Sequence, residues 1–262
     1  MSNTTPGKSI IQRHGAIALI MSLGLLVAVC HAAPTTQESQ QVTSTSIASE
    51  TLSTRQQAIV PIAAFAAKGD LARLNGALNQ GLDAGLTVTD VREVLVQLYA
   101  YAGFPRSLNA LGELMKVLET RRQRGVQDAP GHAPSGPIPT GDALLSAGTA
   151  NQTKLAGGAV KGPLFDFAPA IGEYLKTHLF GDIFERDNLD WQSREIATVA
   201  MLAAMPGVEP QLQAHMRISM NVGLTESQLH QLGQVLADRV DADSATRAHE
   251  ALDKQVATKS ER

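Results

Sequence analysis

The stretch "REIATVAMLAAMPGVEPQLQAH" (residues 194–215) is almost wholly apolar between Glu195, near its start, and His215, at its end. The helix predicted from Trp191 to Met205 carries apolar or small side chains on all sides, which indicates burial in a helical core. The sequence Met-Pro-Gly at 205–207 breaks this helix, and a second helix is predicted to begin near Val208. The two helices are therefore expected to form an antiparallel pair.

A short internal repeat extends this pattern to the rest of the chain. The sequence "DAGLTVTDV" (83–91) aligns with "NVGLTESQL" (221–229), so that Gly85 matches Gly223 and Thr87 matches Thr225. Each copy follows two helical patterns, and no segment shows the period-two alternation of a strand. The predicted unit is a buried helix, a second helix, a glycine stop and a capped third helix. The sequence predicts an all-α fold of two tandem helical repeats, packed with pseudo-twofold symmetry.

The first thirty residues resemble a secretory leader. Lys8 and Arg13 precede the apolar stretch "GAIALIMSLGLLVAVC" (15–30), which is short for a membrane span, and "CHAA" offers small residues for cleavage. We predict a signal peptide over 1–32 and a periplasmic or secreted protein. An alternative is a lipoprotein anchored through Cys30, the single cysteine of the chain. Cleavage after Ala32 removes that cysteine, and with it any disulfide or thiol chemistry.

Composition divides the remaining chain into segments. A flexible tether is predicted over 33–52 and a linker, which includes a stretch rich in Pro and Gly, over 125–163. The first repeat is predicted over 53–124 and the second over 164–240, followed by a C-terminal helix and tail over 241–262.

Charge and motif content exclude several classes of function. The formal net charge is −3, and removal of the leader brings it to about −5. A mildly acidic chain without a basic cluster argues against nucleic acid and against an anionic membrane surface as partners. The sequence has no metal-ligand spacing, phosphate-binding glycine loop or serine nucleophile elbow. We therefore predict a small-molecule substrate, no cofactor and no stable membrane insertion after the leader is removed.

Glu195 and His215 form the first candidate site. Each lies roughly ten residues from the turn, so the rise of about 1.5 Å per residue in an antiparallel pair brings them close together. An apposed glutamate and histidine can act as a general acid/base pair. The alternative is a structural hydrogen bond, with Glu195 also stabilising the N-terminus of its helix through the dipole.

The second candidate is a polar stripe formed by Glu93, Gln97 and Tyr101, which are spaced i, i+4 and i+8 on a predicted helix. Its alternative interpretation is a solvated outer face. Arg106 lies in the first turn of the next helix, where a cation opposes the helix dipole. This placement favours a role for Arg106 in a site, by holding an anionic substrate or by pairing with Glu93.

Two motifs carry a family resemblance. "LTVTDVREVLVQLYAYAGFPRSLNA" (86–110) contains the pattern E…Y.GFP…NA, and the stretch from Arg194 to Thr225 contains RE…H followed by GLT. The chain resembles the carboxymuconolactone decarboxylase family, which belongs with the alkylhydroperoxidase D-like proteins. The resemblance implies an all-helical fold and a homo-oligomer, either a trimer or a hexamer.

In the peroxidase branch of these relatives, a glutamate and a histidine flank a Cys-x-x-Cys. The resemblance places Glu195 at the glutamate and His215 at or close to the histidine, whereas Gly207 and Pro210 stand where the cysteines would fall. Without a thiolate there is no nucleophile to attack a peroxide. Hydroperoxide reduction would then need Cys30 to survive processing.

In the decarboxylase branch no cysteine is required. By the resemblance, His215 is the acid/base, Glu195 orients it and Arg106 clamps the substrate carboxylate, with Tyr101 and Glu93 also expected at the substrate. In the first repeat Gln56 and Ala77 replace the glutamate and the histidine, so only the second repeat holds the full pair.

These observations leave three functions open. The favoured one is an exported lyase that uses cofactor-free acid/base chemistry, such as decarboxylation or proton transfer, on a small carboxylated or lactone-like substrate. The second is a non-catalytic helical scaffold or small-molecule binder that has lost the peroxidase centre. The third is a peroxiredoxin-like hydroperoxide reductase.

Overall fold

The computed structural model describes residues 50–260, and in this part of the chain every regular element is helical. The predicted signal peptide, Cys30 and nearly all of the predicted tether lie outside the described residues. The helices are α1 (Thr54–Lys68), α2 (Leu71–Asp83), α3 (Val88–Gln97), α4 (Tyr99–Gln123), α5 (Asp142–Ala156), α6 (Pro163–Phe167), α7 (Pro169–Tyr174), a π-helical segment (Leu175–Ile183), α8 (Trp191–Ala203), α9 (Glu209–Asn221), α10 (Glu226–Arg239) and α11 (Ala242–Ser260). The predicted all-α fold is confirmed.

The first predicted repeat (53–124) spans α1–α4, the second (164–240) spans the helices from α6 to α10, and the predicted C-terminal helix (241–262) contains α11. Thr87 caps α3 and Thr225 caps α10, and each threonine forms a capping box with the residue three positions later. Before each cap, Gly85 (φ 90°) and Gly223 (φ 96°) adopt the left-handed conformation. A side chain is strained at such a φ, so these glycines end the preceding helices and set the angle at which the next helix leaves.

The centre of the molecule is the contact between α1 of the first repeat and α8 of the second. Every residue from Ala58 to Ala67 is buried, and so is every residue from Ser193 to Ala203. The many alanines let the two helix backbones approach closely, and one hydrophobic core spans both repeats. Helices that are apolar on all sides are stable only in such a position, as the sequence predicted for α8.

The chain between α3 and α4 is more irregular than the sequence suggests. A single helix was expected to run to Gly103, but α3 already ends at Gln97. Within α4, Gly103 has a non-helical backbone (φ 81°, ψ 161°), and Pro105 lies in the turn that follows. Leu98, between the two helices, keeps helical backbone angles, so the marked change of direction is at Gly103.

The segment between the repeats is tied to both of them. The amides of Val88 and Thr89, at the start of α3, donate to the carbonyls of Ala129 and Pro130 over 2.9 and 3.1 Å. Ser135 donates its backbone amide to Asp187, just before α8, over 2.8 Å. Further along, α5 packs against the π-helical segment. Among the described residues, no helix is long and apolar enough to cross a membrane.

Candidate active site

Glu195 and His215 meet in the core of the second repeat. Glu195 lies near the start of α8 and His215 lies in the middle of α9, and the two helices run antiparallel as predicted. His215 Nδ1 is 2.8 Å from Glu195 Oε2. Glu195 is completely buried and His215 is 7% exposed. The carboxylate is therefore held away from bulk water. In the low dielectric of the protein interior, its charge acts more strongly on the imidazole than it would in water.

The hydrogen bond defines which nitrogen of His215 can react. A carboxylate accepts, so the proton lies on Nδ1 and Nε2 carries the lone pair. Within residues 50–260 no side chain or backbone group forms a hydrogen bond to Nε2. The other carboxylate oxygen, Glu195 Oε1, is buried without a hydrogen-bond partner among the described residues. Such a pair can take a proton at Nε2 and stabilise the resulting imidazolium.

Tyr101 of the first repeat completes the surroundings of His215. Its ring stands edge-on to the imidazole, with a centroid separation of 5.6 Å and an interplanar angle of 78°. Its hydroxyl is buried and lies close to the side chain of Thr198, but it does not meet hydrogen-bond geometry with any described residue. Burial raises the pKa of Tyr101, and the negative charge of Glu195 raises it further. The phenol is therefore neutral and available as a hydrogen-bond donor.

Glu93 lies in a buried ion-pair network. Its carboxylate accepts two hydrogen bonds from Arg186, at 2.7 and 2.8 Å, one from Arg194 at 3.1 Å and one from Asn188 at 3.1 Å. Burial by itself would raise the pKa of Glu93, but the hydrogen bonds from Arg186 and Asn188 and the positive charges of both arginines outweigh it and bring the pKa to about 2. Glu93 is therefore ionised and fully engaged.

Gln97 continues the same network towards α8. Its amide donates to the carbonyl of Arg194 over 2.9 Å and to the hydroxyl of Thr198 over 2.7 Å. Glu93 and Gln97 are both completely buried. The interpretation of the stripe as a solvated outer face was therefore wrong, because this face of α3 packs on the second repeat.

Three residues of this network were missed by the sequence analysis: Arg186, Asn188 and Arg194. Arg194 is completely buried, and this burial lowers its pKa. A usable signal existed, because Arg194 is a charged residue next to Glu195 in a helix that is otherwise core-like. Arg186 and Asn188 lie in a loop, where periodicity gives no indication of burial.

Arg106 does not join the network around Glu93. It is exposed, and its guanidinium donates to the carbonyl of Ala67 at the C-terminal end of α1. Within residues 50–260 it forms no hydrogen bond or ion pair with Glu93, Glu195 or His215. The predicted pairing with Glu93 was therefore wrong. A cation that caps the carbonyls of a helix C-terminus is favourable, which accounts for its position in the first turn after Gly103.

The first repeat lacks an equivalent of the acid/base pair. Gln56 completes the capping box of Ser53 at the start of α1, and Ala77 is buried in α2. Each repeat thus contributes something different: the second supplies Glu195 and His215, and the first supplies Tyr101.

A cleft of about 400 Å³ lies where the two repeats and the linker meet. It is lined by Ser53, Arg55, Gln56, Ile59, Leu86, Asp90, His132, Asp187, Asn188, Leu189, Asp190 and Ser193. Asn188 connects this cleft to the network around Glu93, whereas Glu195 and His215 lie outside its lining. Within the described part of the chain, no group of three or more His, Cys, Asp or Glu side chains is arranged to hold a metal ion.

The sequence model of the carboxymuconolactone decarboxylase family matches residues 38–115 and 169–254, which is well over half of the chain. The two matched regions correspond to the two helical repeats. The chain has no match among curated proteins.

Proposed function

Because the chain belongs to the carboxymuconolactone decarboxylase family, we propose that it is an exported enzyme that transfers protons without a cofactor, with His215 as the acid/base. The observation that carries this proposal is the 2.8 Å contact between His215 Nδ1 and the buried carboxylate of Glu195. The predicted leader over 1–32 supports a periplasmic location for the enzyme.

The proposed reaction is the decarboxylation of a small carboxylated, lactone-like molecule. The bond between the substrate carbon and its carboxylate breaks, CO₂ leaves, and the electron pair remains in a dienolate. The imidazolium of His215 then gives its Nε2 proton to carbon, and Glu195 stabilises the charged imidazole before the transfer. The neutral hydroxyl of Tyr101 is placed to donate a hydrogen bond to an oxygen that develops negative charge.

Arg106 keeps a proposed role in holding the substrate carboxylate. Only one nitrogen of its guanidinium is engaged, with the carbonyl of Ala67, and an arginine has five N–H groups. For Glu93 the proposal changes from substrate binding to positioning. Its carboxylate anchors Arg194, the residue next to Glu195, and thereby fixes the first turns of α8.

A non-catalytic scaffold or binder in which Glu195 points away from His215 is not favoured by the 2.8 Å contact, whereas one that uses this contact as a structural hydrogen bond is distinguished from an enzyme by turnover. A hydroperoxide reductase would need a thiol, but Gly207 lies in the turn between α8 and α9, Pro210 lies in the first turn of α9, and residues 50–260 contain no cysteine. Only Cys30 could serve, and an intact mass of the exported protein decides whether Cys30 is retained.

The direct test is CO₂ release from carboxymuconolactone by the purified protein and by His215→Ala. We expect the substitution to lower kcat at least a hundredfold while the helical circular dichroism spectrum is unchanged, because a positioned acid/base contributes about 10²–10⁴ in rate. A normal rate of CO₂ release by His215→Ala would contradict the proposed role of His215 as the acid/base.

A further inference from the structure

A second cleft, of about 510 Å³, lies between the predicted linker and the start of the second repeat. Its walls are α5, the loop before α6, the short helices α6 and α7, and the start of the π-helical segment. None of its lining residues belongs to the site around Glu195. Six lining residues carry the argument: Gln152, Lys161, Phe165, Asp166, Glu173 and Lys176.

Charges of both signs line this cleft without neutralising each other. Lys161 and Lys176 are the cations, and Asp166 and Glu173 are the anions. None of the four forms an ion pair within residues 50–260. Opposite charges that share a cleft but remain more than 4 Å apart are each open to a partner from solution.

Gln152 provides an independent indication of a ligand. The residue is only 5% exposed, and its amide, which forms no hydrogen bond with any described residue, is accessible from the cleft rather than sealed in the core. Buried side-chain amides in folded proteins nearly always have a partner. Because Gln152 lines the cleft, the partner it lacks is one that the cleft would supply. An amide both donates and accepts, so it suits a ligand that carries donors and acceptors together.

The wall behind these groups is closely packed. A side chain at Gly148 of α5 would place its Cβ 1.8 Å from the carbonyl oxygen of Lys176, so the two backbones touch here. On the other side the ring of Phe165 covers Gly172, where an added Cβ would lie 3.2 Å from the ring. The cleft thus combines charged and polar groups with an apolar surface, a combination typical of small-molecule sites.

We propose that this cleft binds a small zwitterion with a carboxylate and an ammonium group, of the class of free α-amino acids. The carboxylate pairs with Lys161 and Lys176, and the ammonium pairs with Asp166 and Glu173. The amide of Gln152 hydrogen-bonds to the ligand, and the ligand's side chain lies against Phe165.

The test is a titration of the isotope-labelled protein with each of the twenty free L-α-amino acids, followed by two-dimensional NMR. We expect at least one of them to shift the signals of α5 to α7 saturably. N-acetylation removes the ammonium charge, and conversion to the amide removes the carboxylate charge. Each change is expected to weaken binding at least tenfold. Absence of saturable binding by every amino acid would overturn the proposal, and so would equal binding of the N-acetyl derivative.

Two variants test the residues, and a third is the matched control. Lys176→Met and Gln152→Leu keep the size of the side chain and are each expected to lower affinity at least tenfold, whereas Lys254→Met changes an exposed lysine on α11 and should leave it unchanged. If Gln152→Leu does not fold, Lys176→Met decides alone. Equal affinity of Lys176→Met and Lys254→Met contradicts the site. His215→Ala should bind the amino acid normally, which separates this test from that of the proposed decarboxylase.

Discussion

Glu93 of the first repeat and Arg194 of the second form an ion pair of 3.1 Å in which both side chains are almost completely buried. The pair joins α3 to α8 one residue before Glu195. Arg186 and Asn188 bind the same carboxylate, so its charge is compensated inside the protein. The two repeats therefore depend on each other, because the polar stripe of the first repeat holds α8 of the second. Helix α8 carries Glu195, one member of the candidate acid/base pair.

Replacement of Glu93 should be strongly destabilising. Glu93→Gln leaves Arg194 as an uncompensated buried charge, and breaking a buried pair in this way costs about 3–5 kcal/mol. The free energy of unfolding from urea denaturation measures the effect. The control is Glu119→Gln, which removes an exposed partner of Arg122 and should cost no more than about 1 kcal/mol. Similar losses in the two variants would contradict the importance of the buried network.

The stability contributed by Glu93 should also depend on pH. The pKa of Glu93 in the folded protein is about 2, below its ordinary value of 4.5. The folded state therefore binds this proton less readily than the unfolded state, and the contribution is fully present above about pH 4.5 and is lost as the pH falls towards 2. The difference in unfolding free energy between the wild type and Glu93→Gln should shrink over this range.

Asp241, whose pKa is also about 2, titrates over the same range, which is why the difference between two proteins is measured rather than the wild type alone. A difference that stays constant from pH 7 to pH 2.5 would show that Glu93 is not the titrating group.

The features predicted best from the sequence are those that depend on residues close together in the chain. The glycine stops and the capping boxes at Thr87 and Thr225 depend on residues within one turn, and both copies occur as expected. The approach of Glu195 to His215 followed from counting residues on either side of one tight turn. In both cases the distance along the chain fixes the distance in space.

The errors concern contacts between distant segments. Glu93 is about a hundred residues from Arg194, and a polar stripe on a helix has the same pattern whether it faces water or a partner helix. Pairing of Arg106 with Glu93 was one of two roles considered because a cation in the first turn of a helix opposes the dipole. The break at Gly103 instead directs Arg106 to the end of α1, a position that helical periodicity cannot specify.

Gly85 and Gly76 offer a matched pair for the role of the helix stop. Gly85→Ala places a side chain at φ 90° and should lower the free energy of unfolding by about 1–2 kcal/mol. Gly76 lies inside α2 with open space around it, so Gly76→Ala should raise stability by about 0.5–1 kcal/mol. Denaturation midpoints of the two variants check the prediction. A loss in both, or a gain in both, would be inconsistent with a left-handed stop at Gly85.

Glu195→Gln separates orientation from charge in the candidate pair. The amide can still contact His215 Nδ1 at a distance near 2.8 Å, but it cannot stabilise an imidazolium. We expect kcat to fall at least tenfold, because the negative charge that stabilises the imidazolium is lost. Glu209→Gln, an exposed change at the start of α9, is the control. A kcat in Glu195→Gln equal to that of the wild type would mean that the charge of Glu195 does not assist His215.

Tyr101→Phe distinguishes a chemical role of the hydroxyl from a structural one. The hydroxyl of Tyr101 is buried without a hydrogen-bond partner among the described residues, and an unsatisfied buried group costs about 1–3 kcal/mol. Its removal should therefore leave stability unchanged or raise it by about 1 kcal/mol, while decarboxylation slows at least tenfold. Thermal unfolding and CO₂ release measure the two effects, and Tyr174→Phe, at an exposed position, is the control. A loss of stability with normal turnover would show that the hydroxyl has a structural role. A lowered rate with an intact fold would show that it has a chemical role, because a group that only completes packing does not change the rate without changing stability.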